Sequence, residues 1–281
     1  MLPEADRNFK RRNDPRSTQE LIRIALTEQD EDAAWDPVIS LQVRGTAEVL
    51  ITAQSLCTSA VARERKLGAD ILGQLGIPER SFPEECFQTL RAMLATENEA
   101  CVLRSIGVAF SHLHDPRAVE LLAPLKDHPH EDVRFGVVFG VSGHDRPLAI
   151  RTLIELSSDQ QSDVRDWATF YLGSELLTDS EDIRSALLAR LTDPDMDTRA
   201  EAMAGLAMRK DPRVLSTINE ELQSEDVVIL ALESAEQMAD PRLLPALLQL
   251  KEAWAGNKDR HADWLHRAID ACSPSSISRD S

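Results

Sequence analysis

The stretch PLAIRTLIELSSDQQSDVRDWATFYLG, residues 147–173, reads as two short helices joined by a polar turn. Its first half opens on Pro147, at an early helical position where a missing N–H is harmless. Ile150, Leu153, Ile154 and Leu156 then lay an apolar stripe along that helix. Ser157, Ser158 and Asp159 supply the turn. In the second half Val164, Ala168, Tyr171 and Leu172 recur at i, i+4, i+7 and i+8, which is one face of a helix. Asp163 stands where it can cap that helix or meet the positive end of its dipole. Gly173 sits where a helix can end or a neighbour can pack closely.

Aligned on Arg165, the second half returns along the chain. RKLGADILG starts at Arg65, RSIGVAFSH at Arg104, RFGVVFGVS at Arg134 and RAEAMAGLA at Arg199, and a degenerate sixth copy carries Val228 in the Arg place. The intervals are 39, 30, 31, 34 and 29 residues. A period in this range marks a solenoid, in which each unit is a helical hairpin that buries its apolar face against its neighbours. First helices begin after Asp115-Pro116-Arg117, Asp211-Pro212-Arg213 and Asp240-Pro241-Arg242, where Asp can cap and Pro occupies the first turn. The expected fold is all-α, an α-solenoid of seven to eight hairpins at 17–44, 46–75, 83–112, 116–142, 146–175, 181–208, 212–237 and 241–271. One solenoid over 17–271 then lies between disordered tails at 1–16 and 272–281.

The formal net charge is −17, and residues 121–240 hold 24 Asp and Glu against 11 Lys and Arg. Such a field repels phosphates and anionic lipid and favours basic protein partners. Nucleic acid is therefore not an expected ligand; the basic cluster Lys10, Arg11 and Arg12 lies in the amino-terminal tail. There is no run of about 18 apolar residues and no signal-peptide pattern in residues 1–16, so the expected setting is cytoplasmic and off the membrane. Cys57, Cys86, Cys101 and Cys272 show no metal-binding spacing and read as reduced structural thiols.

The phrases SDVRDWATFYLG and DMDTRAEAMAGLAMRKDPRVL resemble HEAT repeats of the short bacterial type, also described as phycobilisome-lyase-like. The resemblance covers about 60–250 strongly and 17–59 weakly, and implies a right-handed superhelix whose second helices line the concave surface. It also implies a ladder, in which an Asp of the turn meets an Arg six residues later. Asp159 with Arg165 and Asp193 with Arg199 match that pattern, while Ser59, Asn98 or His128 hold the turn position elsewhere. Arg134 joins these residues as a structural ladder group. The order of phrases from ELIRIAL at Glu20 through VISLQVRGT at Val38 to MRKDPRVLSTINEEL at Met208 is further similar to HEAT-repeat proteins encoded beside Rhs-type toxins. That likeness implies an immunity role, exercised by binding a toxin domain.

The sharpest local feature is an aromatic cluster in a chain with only 4% aromatic residues: Phe135, Phe139, Trp167, Phe170 and Tyr171. Positions one and five after the repeat Arg share a helix face, and hold Phe135 and Phe139 in one repeat, Asp166 and Phe170 in the next. Two readings stand. The rings anchor a partner, with Asp132 and Asp163 as acidic neighbours, or they pack between repeats. Trp167 and Tyr171 are the rings best placed for the core.

No GxSxG elbow, Gly-rich phosphate loop or HExxH helix occurs. A HEAT-like di-iron hydroxylase would need converging His and carboxylates. His130-Glu131 is the sole His-Glu pair, and residues 162–237 contain no His. A bilin lyase would need a chromophore pocket that a sequence does not display. Neither metal nor cofactor is expected. The sequence is therefore read as a monomeric, non-catalytic protein that binds a basic protein partner, with a general scaffold or a HEAT-like enzyme as alternatives.

Overall fold

A computed structural model describes residues 4–255 and 261–274. The described residues form helices and turns, without strands, and divide into two compact units, one ending at His144 and the other starting at Asp145.

The first unit contains α1 (Glu4–Arg12), α2 (Thr18–Thr27), α3 (Glu31–Arg44), α4 (Ala47–Cys57), α5 (Ala62–Gly73), α6 (Pro83–Leu94), α7 (Ala100–Leu113), α8 (Arg117–Leu122, continued by a tight turn at Ala123–Leu125) and α9 (Glu131–Val141). After α1 these pair as hairpins, and the second helices α3, α5, α7 and α9 pack side by side. Ser17 starts α2 through a capping box with Glu20, and Asp30 caps α3 by accepting from the Ala33 N–H at 2.8 Å. Leu21, Leu41, Ile71, Leu72, Leu90, Ile106 and Phe110 are fully buried between the rows, with Phe87 and Phe110 rings 5.4 Å apart.

The amino-terminal stretch departs from the expected tail. Residues 1–3 lie outside the described part, but 4–12 are helical and the link to α2 is tied down. Asp14 accepts from the backbone N–H of Arg16 at 3.0 Å and from its guanidinium at 2.5 Å. Ser40 also donates to Asp14, and Arg44 donates to the carbonyls of Asp14 and Arg16. Arg11 and Arg12 are spent on Asp36 and Glu79. Asp14-Pro15-Arg16 is thus a fourth copy of the clamp seen at 115–117, 211–213 and 240–242, where each Asp holds the N–H and the guanidinium of the Arg two residues on.

The second unit contains α10 (Pro147–Leu156), α11 (Ser162–Phe170), α12 (Glu181–Arg190), α13 (Met196–Met208), α14 (Leu215–Glu221), α15 (Ile229–Met238), α16 (Leu244–Ala253) and α17 (Ala262–Cys272), with tight turns Pro212–Val214 and Pro241–Leu243 leading into α14 and α16. The second helices α11, α13, α15 and α17 again lie side by side. Leu172, Ile183, Leu187, Leu206, Ile218, Leu232 and Leu247 are fully buried. Cys272, placed at the start of the carboxy-terminal tail by the sequence reading, is the buried last residue of α17; 275–281 lie outside the described residues.

Two features fix how closely the second helices approach. An added Cβ on Gly107 would lie 2.3 Å from the Gly136 carbonyl, and one on Gly205 would lie 2.4 Å from the Gly173 Cα, so only glycine fits. At Gly173 the end of α11 also widens into a π turn, Tyr171–Glu175, with the Leu176 N–H reaching back to the Tyr171 carbonyl at 3.0 Å. That widening frees carbonyls, and Arg209 gathers carbonyls there together with that of Gly205 on α13. Its Nη1 donates to Gly173 at 2.7 Å and Gly205 at 2.9 Å, and its Nη2 to Leu172, Leu176 and Thr178 at 2.7, 2.9 and 3.2 Å.

Candidate functional site

The sequence candidates fall in both units. In the second unit, α11 buries Val164, Ala168 and Leu172 and turns Asp163, Asp166, Trp167 and Phe170 outward. Trp167 is 36% exposed and Tyr171 is half-buried, which corrects the expectation that these two rings are core. The reason is angular. Trp167 precedes Ala168 by one residue, about 100° around the helix, and so leaves the buried stripe. Phe170 is half-buried and stands edge-on to Trp167 at 5.7 Å and to Tyr171 at 5.3 Å.

Asp166 lies beside these rings with its Oδ1 enclosed and without a hydrogen-bond partner. Burial, and then the charges of Asp197, Asp195 and Asp163, push its pKa up to about 6. Facing it from α13 is Glu201, whose Oε2 accepts from the Ser174 hydroxyl at 3.3 Å. Burial and the Asp166 charge raise Glu201 to about 7. Sequence reasoning missed Glu201, although one signal was present: a carboxylate among the small apolar residues of RAEAMAGLA. Asp163 is exposed at the start of α11 and touches the Ser162 hydroxyl at 3.4 Å.

In the first unit, Phe135 and Phe139 are half-buried on α9 and stack at 4.8 Å. The Arg104 guanidinium lies over Phe135, 4.2 Å from its centroid, and donates to Asp132 at 2.6 Å. Asp132 is thus already engaged by a cation of its own chain. The two rings form a capped aromatic pair rather than a bare acidic pocket.

The ladder residues have a connectivity that the resemblance does not contain. Arg165 donates to the carbonyls of Asp159 and Gln160 in its own turn at 2.9 and 3.2 Å. Its other face makes a bidentate pair with the Asp193 carboxylate of the following turn, at 2.9 and 2.8 Å. Arg199 in turn takes the carbonyls of Asp193 and Pro194. In each contact between residues six apart, the Asp contributes its main-chain oxygen to that Arg. The Asp193 side chain answers the Arg of the preceding repeat. Arg65 repeats the scheme with the Ser59 carbonyl and with Glu97, a turn carboxylate that sequence reading passed over for Asn98. Arg134 takes the carbonyls of His128 and Pro129.

Among the described residues no group of three or more His, Cys, Asp or Glu could hold a metal ion. His130 and Glu131 sit at the start of α9, where the His130 Nδ1 accepts from the Asp132 N–H. No helix of the described part is long and apolar enough to cross a membrane. The second helices present carboxylates, aromatic edges and small apolar residues.

No family model matches the chain. It is 31% identical over 213 residues to protein YibA of Escherichia coli K12, covering 74% of this chain and 75% of that protein. The X-ray structure of Escherichia coli YibA superposes with a TM-score of 0.76 at 27% identity, over 96% of this chain and 97% of that one. A crystal structure of importin beta matches with a TM-score of 0.57 at 13% identity, over 90% of this chain and 42% of that chain, a likeness of fold alone.

Proposed function

The chain belongs to the family of Escherichia coli YibA, and from that premise we propose that this helical-repeat protein is a non-catalytic scaffold that binds a basic protein through its second-helix face. The observation that carries the reading is the Asp166–Glu201 pair beside Trp167 and Phe170. Two half-buried carboxylates without a paired cation among the described residues, next to aromatic edges, suit a desolvated Lys or Arg of a partner. The overall charge of −17 favours the same class of partner by steering. A toxin domain neutralised in the cytoplasm by the monomeric protein is the specific form of this proposal. Gene neighbourhood beside a toxin separates it from a general host scaffold.

Affinity capture from the native cell with mass spectrometry tests the reading. The wild-type chain should retain a basic protein. Phe170→Ala in the second unit and Phe139→Ala in the first should weaken retention, together abolish it, and leave the helical circular dichroism unchanged. Equal capture by the double variant, or no partner above a mock column, would overturn it. Stoichiometric metal or pigment in a gently purified preparation would argue instead for an enzyme.

A further inference from the structure

A groove of about 450 Å³ runs along the second-helix face of the second unit, beyond the Asp166–Glu201 pair. Ala204 and Met208 of α13 and Leu230 of α15 give it an apolar strip among polar and charged lining residues; Met208 is 42% exposed and Leu230 half-buried. Ser234 also lines the groove. Its side chain is 1% exposed, and its Oγ has no hydrogen-bond partner, not even the carbonyl four residues back that usually satisfies a serine within a helix.

The groove lining carries Glu233, Glu236 and Arg267, and the charge left over after pairing is acidic. Glu233 accepts from the Trp264 indole at 2.9 Å, a neutral donor that leaves the carboxylate charge in place. Glu236 pairs with Arg267 at 3.1 Å, so the basic group lining the groove is already spent. Glu201 and Asp166 continue the acidic series at the Ser174 end, since Ser174 both lines the groove and donates to Glu201. An occupant must therefore bring an apolar face and positive charge.

Its backbone must also arrive satisfied. Neither α13 nor α15 contains Asn, and the one side-chain amide between them is Gln237, so no row of amides brackets an extended peptide. The described residues include no strand edge to pair with. A helix meets this demand because it closes its own hydrogen bonds and can lay residues at i, i+3 and i+4 into a groove.

We propose that the groove between α13 and α15 seats one amphipathic helix of a protein partner, with apolar residues on Ala204, Met208 and Leu230 and Lys or Arg facing Glu201 and Glu233. This rests on the basic-partner reading above and names the segment the partner inserts.

The test uses the full chain and a fluorescent, side-chain-stapled helical peptide of about five turns built from Leu, Ala and Lys. A peptide of the same composition broken by two prolines serves as its counterpart. Fluorescence anisotropy should show saturable, salt-sensitive binding of the stapled helix, and binding at least about tenfold weaker for the proline-broken peptide. Ala204→Arg, which fills the floor and reverses its charge, should weaken the stapled helix by a similar factor. Glu233→Gln, which keeps an acceptor for the Trp264 indole, should weaken it and flatten its salt dependence. Absence of binding to the wild type, equal binding of the broken peptide, or wild-type affinity in the folded Ala204→Arg chain overturns the proposal. If the native partner is captured by wild type and Ala204→Arg alike but lost from Phe170→Ala, the scaffold reading stands and the groove falls. If nothing is captured from the cell while the stapled helix binds as described, the scaffold reading fails and the groove remains.

Discussion

Arg165 joins two repeats by holding the carbonyl of Asp159 behind it and the carboxylate of Asp193 ahead of it, 28 residues further along the chain. The Asp193 side chain is 1% exposed and that of Arg165 11%, so this is an ion pair taken almost wholly out of water. Burial pushes the Asp193 pKa up, but the Arg165 hydrogen bonds, the Asp195 N–H and the charges of Arg165 and Arg190 together outweigh it and hold the carboxyl below its ordinary value. Its contribution to stability is present above the ordinary carboxylate range and is lost as the pH falls through the lowered pKa.

Removing one side of this pair leaves a buried charge without its partner. Asp193→Ala should destabilise the protein by roughly 3–5 kcal/mol, and the apolar double replacement Arg165→Met with Asp193→Leu by much less. Urea unfolding at pH 7 measures both, and equal losses would show that the pair does not act as a unit.

Asp166 and Glu201 work in the opposite sense. Their folded pKa values, about 6 and about 7, lie above the ordinary 3.8 and 4.5, so the folded chain holds their protons more tightly than the unfolded chain. Their effect is neutral below the ordinary range and destabilising as pH climbs from there through about 7. Asp166→Asn with Glu201→Gln should raise stability at neutral pH, by no more than about 1 kcal/mol given their remaining solvent contact. The same variant should flatten the melting temperature between pH 5 and 7. An unchanged pH profile would contradict this.

Gly107→Ala places a methyl group against the backbone of Gly136, which has no flexible side chain to yield. The expected loss is about 1–3 kcal/mol, read from thermal unfolding. A neutral outcome would mean that α7 and α9 separate without penalty.

Arg209→Met removes the donor shared by five carbonyls around the π turn. Orphaned buried acceptors cost about 1–3 kcal/mol each, and partial rehydration should leave a net loss on the order of 3 kcal/mol. Chymotrypsin should also cut sooner at Leu177, which is 89% exposed just beyond that turn. Wild-type resistance at this bond would refute the role given to Arg209.

The hairpins were legible because their punctuation is local. Pro147 opens α10, and the Asp-Pro-Arg clamps at 115–117, 211–213 and 240–242 lead into α8, α14 and α16. The clamp at Asp14 carries the same signal, yet its polar surroundings made it look like a tail; its order comes from Ser40 and Arg44, more than twenty residues away. For the candidate site, the face bearing Asp166 and Phe170 followed from helical spacing. Its chemistry did not, because the raised pKa of Asp166 depends on its burial and on Asp197 and Asp195 in another repeat. The destination of each ladder Arg was hidden for the same reason: a period reveals that Arg165 and Asp193 recur, but not which of them reaches across to the other.

Val228 stands where five other repeats place the Arg, and so brings no guanidinium to the turn between α14 and α15. At the opposite end of that hairpin Lys210 donates to the Gln237 carbonyl in the last turn of α15. A rod fastened at one end and loose at the other moves as a lever. Small tilts of α15 about its fastened end would carry Leu230, two residues past the loose turn, through the largest arc. The width available to an incoming helix would then be set by the mechanics of one missing charge, and a Val228→Arg chain should narrow that range of motion, as amide hydrogen exchange along α15 would report.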